Sequence, residues 1–270
     1  MQLGVNVPNF GPGTDPGVLR EWARVVEGLG FDLLMVSDHV TVTPDVAERY
    51  PEPFYEPFTT LSWLAGITTT LRLGTTVLVL PYRHPLLVAR MATNLQQLSE
   101  GRLVLGVGVG WARQEYEALG VPFSARGRLT DEHLTALRDA WRSDGPATAV
   151  PLWVGGNSDA AIRRAIGFGD AWHPLRGTIS WLRSTVTHHS LPGFAPRIAL
   201  RLTTTPVDDT ERPAGVGTLD QILDDLDQLR LLGASTVLLD PYHGDPEETR
   251  RPHTAWQDLT AVATHWRNRP

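Results

Sequence analysis

The sequence predicts an α/β protein built as one parallel (β/α)8 barrel spanning residues 1–270. Three observations carry this. Short β-rich runs alternate with amphipathic helical stretches about eight times, the pattern of βα units. A length of 270 residues suits one such barrel. No repeat, low-complexity segment or long linker divides the chain.

The elements follow in order. Residues 2–8 read as a strand, and 16–29 as a helix with Pro16 at its start and Leu19, Trp22, Val25, Val26 and Leu29 on one face. FDLLMVS (31–37) is nearly continuous apolar sequence, as a strand covered on both faces requires. A helix over 58–69 leads to a β-branched strand over 71–80. The stretch 84–101 is helical, with Pro85 in its first turn and Gly101 just past its end. Residues 102–110 form a strand running into glycines, followed by helices near 112–119 and 129–142. Strand 151–156 and helix 157–169, short strand 170–174 and a weak helix near 179–187 come next. Strand 197–206, helix 218–233, strand 235–241 and helix 253–267 complete the series.

Composition narrows the chemistry. There is no cysteine, so thiolate catalysis, disulfides and cysteine-ligated metal are excluded. All 24 basic residues are arginine, which rules out a lysine Schiff base or a P-loop lysine. A net charge of −6 without a basic cluster argues against nucleic acid and anionic membranes as partners. No run of about 18 apolar residues occurs, and the start lacks a basic segment followed by an apolar one. The expectation is a cytoplasmic protein.

In barrels of this kind the working groups sit at the C-terminal ends of the strands. Asp38 and His39 follow the second strand and suit proton exchange or a polar cofactor edge; the alternative is a turn cap with an incidental histidine. The glycines of GVGVGW, among them Gly108 and Gly110, allow close backbone approach to a flat ring or a phosphate. In VGGNS, Gly155, Gly156, Asn157 and Ser158 lead from a strand into a helix start, an arrangement suited to phosphate; Asn157 or Ser158 could equally be an N-cap. His84, His173 and His243 also lie near strand ends, but no HxH or HxxxH pair accompanies them, so no metal site is expected. Residues 40–57 exceed an ordinary βα loop and form a candidate wall or lid at the barrel rim.

The segments SDHV (37–40), LGTTVLVLPYRHPLLVAR (73–90), EGRLVLGVGVGW (100–111), PLWVGGNSDAAIRRA (151–165) and GDAWHP (169–174), in this order, resemble the luciferase-like monooxygenase superfamily. The likeness is greatest to its oxidoreductases that use the deazaflavin coenzyme F420. The resemblance implies a luciferase-like TIM barrel, usually a homodimer, with the ring at the C-terminal mouth. It implies a non-prolyl cis peptide beneath the ring, matched here by Thr76–Val77, and cofactor phosphate at Gly155–Ser158. Asp38 and His39 match a ring-contacting or proton-donating position. Hydride transfer between F420 and a small organic substrate is the activity implied, with His39 exchanging the proton and Asp38 holding His39 or the ring. Trp63, Trp111 and the 40–57 loop would line the pocket. Two departures stand out. The connection over 142–150 is shorter than in relatives, and Val109 replaces an arginine that grips the FMN phosphate in some of them, with Arg83 and Arg113 left as other sources of positive charge. Alternatives are an FMN-dependent monooxygenase, a non-catalytic flavin- or deazaflavin-binding protein, and a metal-dependent barrel hydrolase.

Overall fold

The structure, a computed structural model, describes residues 1–145 and 150–269. Its first half runs β1 (Gln2–Asn6), α1 (Pro16–Gly28), β2 (Leu33–Val36), α2 (Pro44–Ala47), α3 (Pro57–Ala65), β3 (Arg72–Thr75), β4 (Leu78–Val79), α4 (Pro85–Leu98), β5 (Leu103–Gly108), α5 (Arg113–Ala118) and α6 (Arg126–Asp144). The second half runs β6 (Leu152–Gly155), α7 (Asp159–Phe168), β7 (Ala171–His173), α8 (Ile179–His188), β8 (Arg197–Ala199), β9 (Arg201–Leu202), β10 (Val216–Gly217), α9 (Leu219–Leu231), β11 (Thr236–Asp240) and α10 (Pro252–Arg267).

Neighbouring strands pair in parallel in the order β7-β6-β5-β3-β2-β1-β11-β8, with β4 beside β5. Parallel bridges Trp172–Phe194 and Leu175–Arg197 tie β7 to the β8 side and bring the ring to near closure. β3 and β4 are two halves of one stave, separated by the Thr76–Val77 peptide, which is cis. The described residues therefore form eight parallel staves, as the sequence predicts.

Side-chain alternation explains the burial. Leu33 and Met35 point into the barrel and join Val104, Trp153, Ala171, Ala195 and Leu238. Leu34 and Val36 point outward into the larger core beneath the helices. All four residues of β2 are 0% exposed, which is why that stave reads as unbroken apolar sequence. The helices start where the chain provides caps: Asp15 before α1, Ser158 before α7, Thr178 before α8, and a Thr218–Gln221 capping box before α9.

One expectation needs correction. The strand expected over 197–206 leaves the barrel after Ala199, and its next residues pair with β10 instead. The loop over 40–57 contains the short helix α2 and a cis Glu52–Pro53 bond. Of the short 142–150 connection, residues 146–149 lie outside the described residues. Among the described residues, no helix is long and apolar enough to cross a membrane.

Candidate active site

The C-terminal end of β2 sends two neighbouring side chains in different directions. Asp38, 4% exposed, accepts both Nη groups of Arg83 at 2.7 and 2.8 Å and the Val79 N–H at 2.8 Å. It thereby ties β2 to the chain just beyond the cis peptide. Burial pushes the Asp38 carboxyl up and Arg83 opposes this, while Asp38 holds the Arg83 guanidinium more firmly in its charged form. Arg83 also meets Glu56 of the rim loop at 3.2 Å, so its charge is already engaged. Of the two expected partners of Asp38, His39 and a ring edge, His39 is not hydrogen-bonded to it.

His39 instead meets a residue the sequence did not single out. Its Nδ1 lies 2.7 Å from Oε2 of Glu115, on α5. Glu115 is 0% exposed. Its Oε2 also accepts the Tyr82 hydroxyl at 2.9 Å, and its Oε1 accepts the Val40 and Thr41 N–H groups at 2.6 and 3.1 Å. Burial pushes the Glu115 carboxyl up, but His39 and the two backbone donors outweigh it and hold it below the usual carboxylate range. An ionised carboxylate only accepts, so Nδ1 carries a proton. Nε2 has no hydrogen-bond partner among the described residues. Nothing in the stretch around 115 marks it out, because its importance comes from burial in three dimensions.

An aromatic wall encloses this histidine. Tyr50 stacks on it at 5.4 Å, and Phe54 and Trp111 meet its ring edgewise at 5.3 and 5.8 Å. Tyr50 and Phe54 belong to the 40–57 loop, which thus serves as a wall. Trp63 lies elsewhere, packed on the outer core beneath Arg20. Arg113 is occupied on the face of Phe123, 4.4 Å from its centroid.

A buried polar lattice crosses the barrel mouth beside the cis peptide. Arg197 donates Nη1 to the Thr76 carbonyl at 2.9 Å and to its hydroxyl at 3.3 Å. Its Nε and Nη2 reach Asp240 Oδ2 at 3.1 and 2.8 Å. Asn6 donates to Asp240 Oδ1 at 2.9 Å, while Asn6 Oδ1 is buried without a donor. Burial would raise the Asp240 carboxyl, but Arg197 and Arg176 lower it. The His173 Nδ1–H donates to the Ala195 carbonyl, which leaves Nε2 to accept the Thr76 hydroxyl at 2.9 Å. Burial, reinforced by Arg197, lowers the His173 pKa to about 4 and keeps it neutral.

The glycines make close approaches within the fold itself. A Cβ on Gly106 would lie 2.1 Å from the Thr75 carbonyl, one on Gly108 2.6 Å from Val77, and one on Gly110 2.7 Å from Val79. A Cβ on Gly155 would lie 2.6 Å from the other Val77 methyl. These glycines make room for the chain's own irregular stave. Gly156 has φ +123°. Asn157 grips the backbone of Leu175, donating to its carbonyl at 2.7 Å and accepting its N–H at 2.8 Å. Ser158 caps α7 through the Ala161 N–H. Both side chains are exposed at the helix start, whose first backbone N–H groups have no partner within the helix. Since Gly155 touches Val77, this helix start and the cis peptide are neighbours. His84 caps α4, its side chain accepting the Leu86 N–H.

Comparison with known proteins follows this geometry. Residues 1–186 match the family model of luciferase-like monooxygenases. A Mycobacterium tuberculosis protein without an assigned activity is 32% identical over 180 residues, covering 56% of this chain and 62% of that protein. The 4-hydroxyprotoasukamycin monooxygenase of Streptomyces nodosus subsp. asukaensis is 33% identical over 148 residues, covering 52% of this chain and 37% of that enzyme. The matches thus span less than two thirds of these relatives. Coenzyme F420-dependent tetrahydromethanopterin reductase from Methanopyrus kandleri superimposes with a TM-score of 0.71 at 15% identity, over 98% of this chain and 99% of that one. The oxygenating constituent of 3,6-diketocamphane monooxygenase from Pseudomonas putida, in complex with FMN, gives 0.74 at 16% identity over 97% of each chain. The fold is shared with users of either cofactor, and the chain belongs to the luciferase-like monooxygenase family.

Proposed function

We propose that this chain is an F420-dependent oxidoreductase acting on a small organic substrate, with His39 exchanging the proton. The observation that carries the reading is the buried Glu115–His39 pair, 2.7 Å apart, at the end of β2. The carboxylate fixes the Nδ1–H tautomer and leaves Nε2 as the working nitrogen. A substrate hydroxyl or carbonyl oxygen beside Nε2 could give up or receive a proton there. Tyr50, Phe54 and Trp111 would keep water from that exchange.

The mouth fits a planar heterocycle with a polar edge. Asn6 Oδ1 is a buried acceptor in need of a donor, and an unpaired buried acceptor is costly. An N–H of the ring edge would supply that donor. The start of α7 would take the anionic tail through its backbone N–H groups. When bound, F420 supplies a hydride donor or acceptor. The chain's own residues orient it, hold the proton and close the pocket.

FMN-dependent monooxygenation is the second reading, supported by the likeness to 4-hydroxyprotoasukamycin monooxygenase. A tryptophan-quenching titration with each cofactor separates the two. Tight binding of F420 is expected. Submicromolar FMN binding with none for F420 would transfer the chain to the monooxygenases. His39→Gln is expected to lower kcat by about 10²–10⁴-fold while cofactor affinity holds. Tight binding without turnover across enones, alcohols and imines would leave only a cofactor-binding protein.

A further inference from the structure

We infer that Arg176 binds an anionic group of the substrate at the barrel mouth, so that the substrate is a small organic carboxylate or phosphoryl compound. The inference rests on the mouth being the substrate site, as proposed above. Two guanidinium groups, Arg176 and Arg197, share one buried carboxylate, Asp240. His173, in the same lattice, is neutral. The lattice therefore carries one unmatched positive charge.

The two arginines differ in what they have left to offer. Arg197 is 11% exposed and engages Nε, Nη1 and Nη2 on Asp240 and Thr76. Arg176 is 38% exposed and uses only Nη2, on Asp240 Oδ2 at 2.9 Å and on the Tyr242 carbonyl. Its Nε and Nη1 have no partner among the described residues, which leaves three N–H donors for a ligand. A guanidinium with one nitrogen anchored is pre-organised to receive a carboxylate or phosphoryl oxygen.

The backbone holds Arg176 in place. Its φ is +52°, a left-handed conformation uncommon outside glycine. Asn157 clamps Leu175 from both sides of its peptide, and the Arg176 N–H donates to the Arg197 carbonyl at 2.8 Å. A substrate is favoured over the cofactor tail because of where the side chain reaches. It turns to Tyr242, whose ring lies 5.9 Å from Tyr50, and Tyr50 stacks on His39. Arg176 thus holds the backbone of a residue whose ring belongs to the aromatic cluster around His39. A molecule with its reacting oxygen at His39 would place an anionic group toward Arg176.

The test uses malonate as the anionic probe, titrated by tryptophan fluorescence into the cofactor-loaded protein, with Arg176→Met and Arg176→Lys beside the unaltered chain. Asp240 keeps Arg197 in either variant, and thermal melts check that both fold. Arg176→Met should weaken malonate at least tenfold, Arg176→Lys less, with cofactor affinity changed under twofold. Equal malonate affinity in all three proteins overturns the inference. So does a variant that loses F420 but keeps the tail-free deazaflavin ring, because the anion would then be the cofactor's tail. Loss of malonate binding in Arg176→Met together with unimpaired turnover in His39→Gln would uphold the anion site and reject His39 as the proton carrier.

Discussion

Acidification from pH 6.5 to 5.0 should destabilise this protein through His173. The imidazole is 2% exposed and its pKa falls from 6.5 to about 4. The folded state therefore binds fewer protons than the unfolded chain between those values. Stability from this group is complete above the unfolded pKa and is lost as pH falls toward the folded one. At about 1.4 kcal/mol per unit, the loss is about 2 kcal/mol by pH 5 and about 3 kcal/mol near pH 4. The structural cause is specific. Protonating Nε2 would remove the acceptor of the Thr76 hydroxyl and place a second cation near Arg197. Carboxylates such as Asp240 add their own loss at lower pH, and His243, whose pKa burial also lowers, adds to it in the upper window, so only the comparison with His173→Gln isolates this histidine. Urea denaturation at both pH values, on the unaltered chain and on His173→Gln, measures the effect as a difference of slopes. Glutamine does not titrate, so its stability should fall by about 2 kcal/mol less. Parallel losses in the two proteins would refute the buried-neutral assignment.

Three further outcomes follow from named contacts. Gly108→Ala and Gly155→Ala should each cost about 1–3 kcal/mol by crowding Val77, measured by thermal unfolding; an undiminished melting temperature would mean that the stave has slack. Arg83→Met strands the buried Asp38 charge and should cost about 3–5 kcal/mol; Asp38→Asn combined with it should recover part of that loss. Glu115→Gln should lower kcat more than it changes KM, since the carboxylate that fixes the His39 tautomer is gone; an unchanged kcat would assign Glu115 to packing alone.

Much of the barrel was legible because two-sided burial leaves a strong mark. LLMV and LVLGVG are apolar without interruption, since helices cover one face of each strand and the barrel interior the other. The error at 197–206 has an equally physical source. LTTTP keeps β-prone residues past Ala199, but the chain there turns to meet Val216–Gly217, and Gly215 lies so close to the Ala199 carbonyl that a Cβ would sit 1.7 Å from it. Propensity reports which residues suit a strand, and not which neighbour that strand will pair with.

The site was legible only where its residues end a stave. That rule selected Asp38 and His39, and applied evenly it selects Asn6 and Asp240 too, the last residues of β1 and β11. Those two are 234 positions apart and meet through one hydrogen bond. Glu115 escapes the rule because it comes from a helix 76 residues beyond His39. Arg197 escapes it because it begins β8 rather than ending it, and only the length of its side chain carries it to Thr76. The glycines at 106, 108 and 110 were correctly seen as places of close approach, but what approaches is the stave carrying Thr75, Val77 and Val79. Their spacing of two matches the spacing of those residues, because both follow the strand period. A glycine-alternating strand beside a β-branched one therefore marks an irregular stave before it marks a ligand, and the ligand argument has to begin from the side chains that stave displaces or holds.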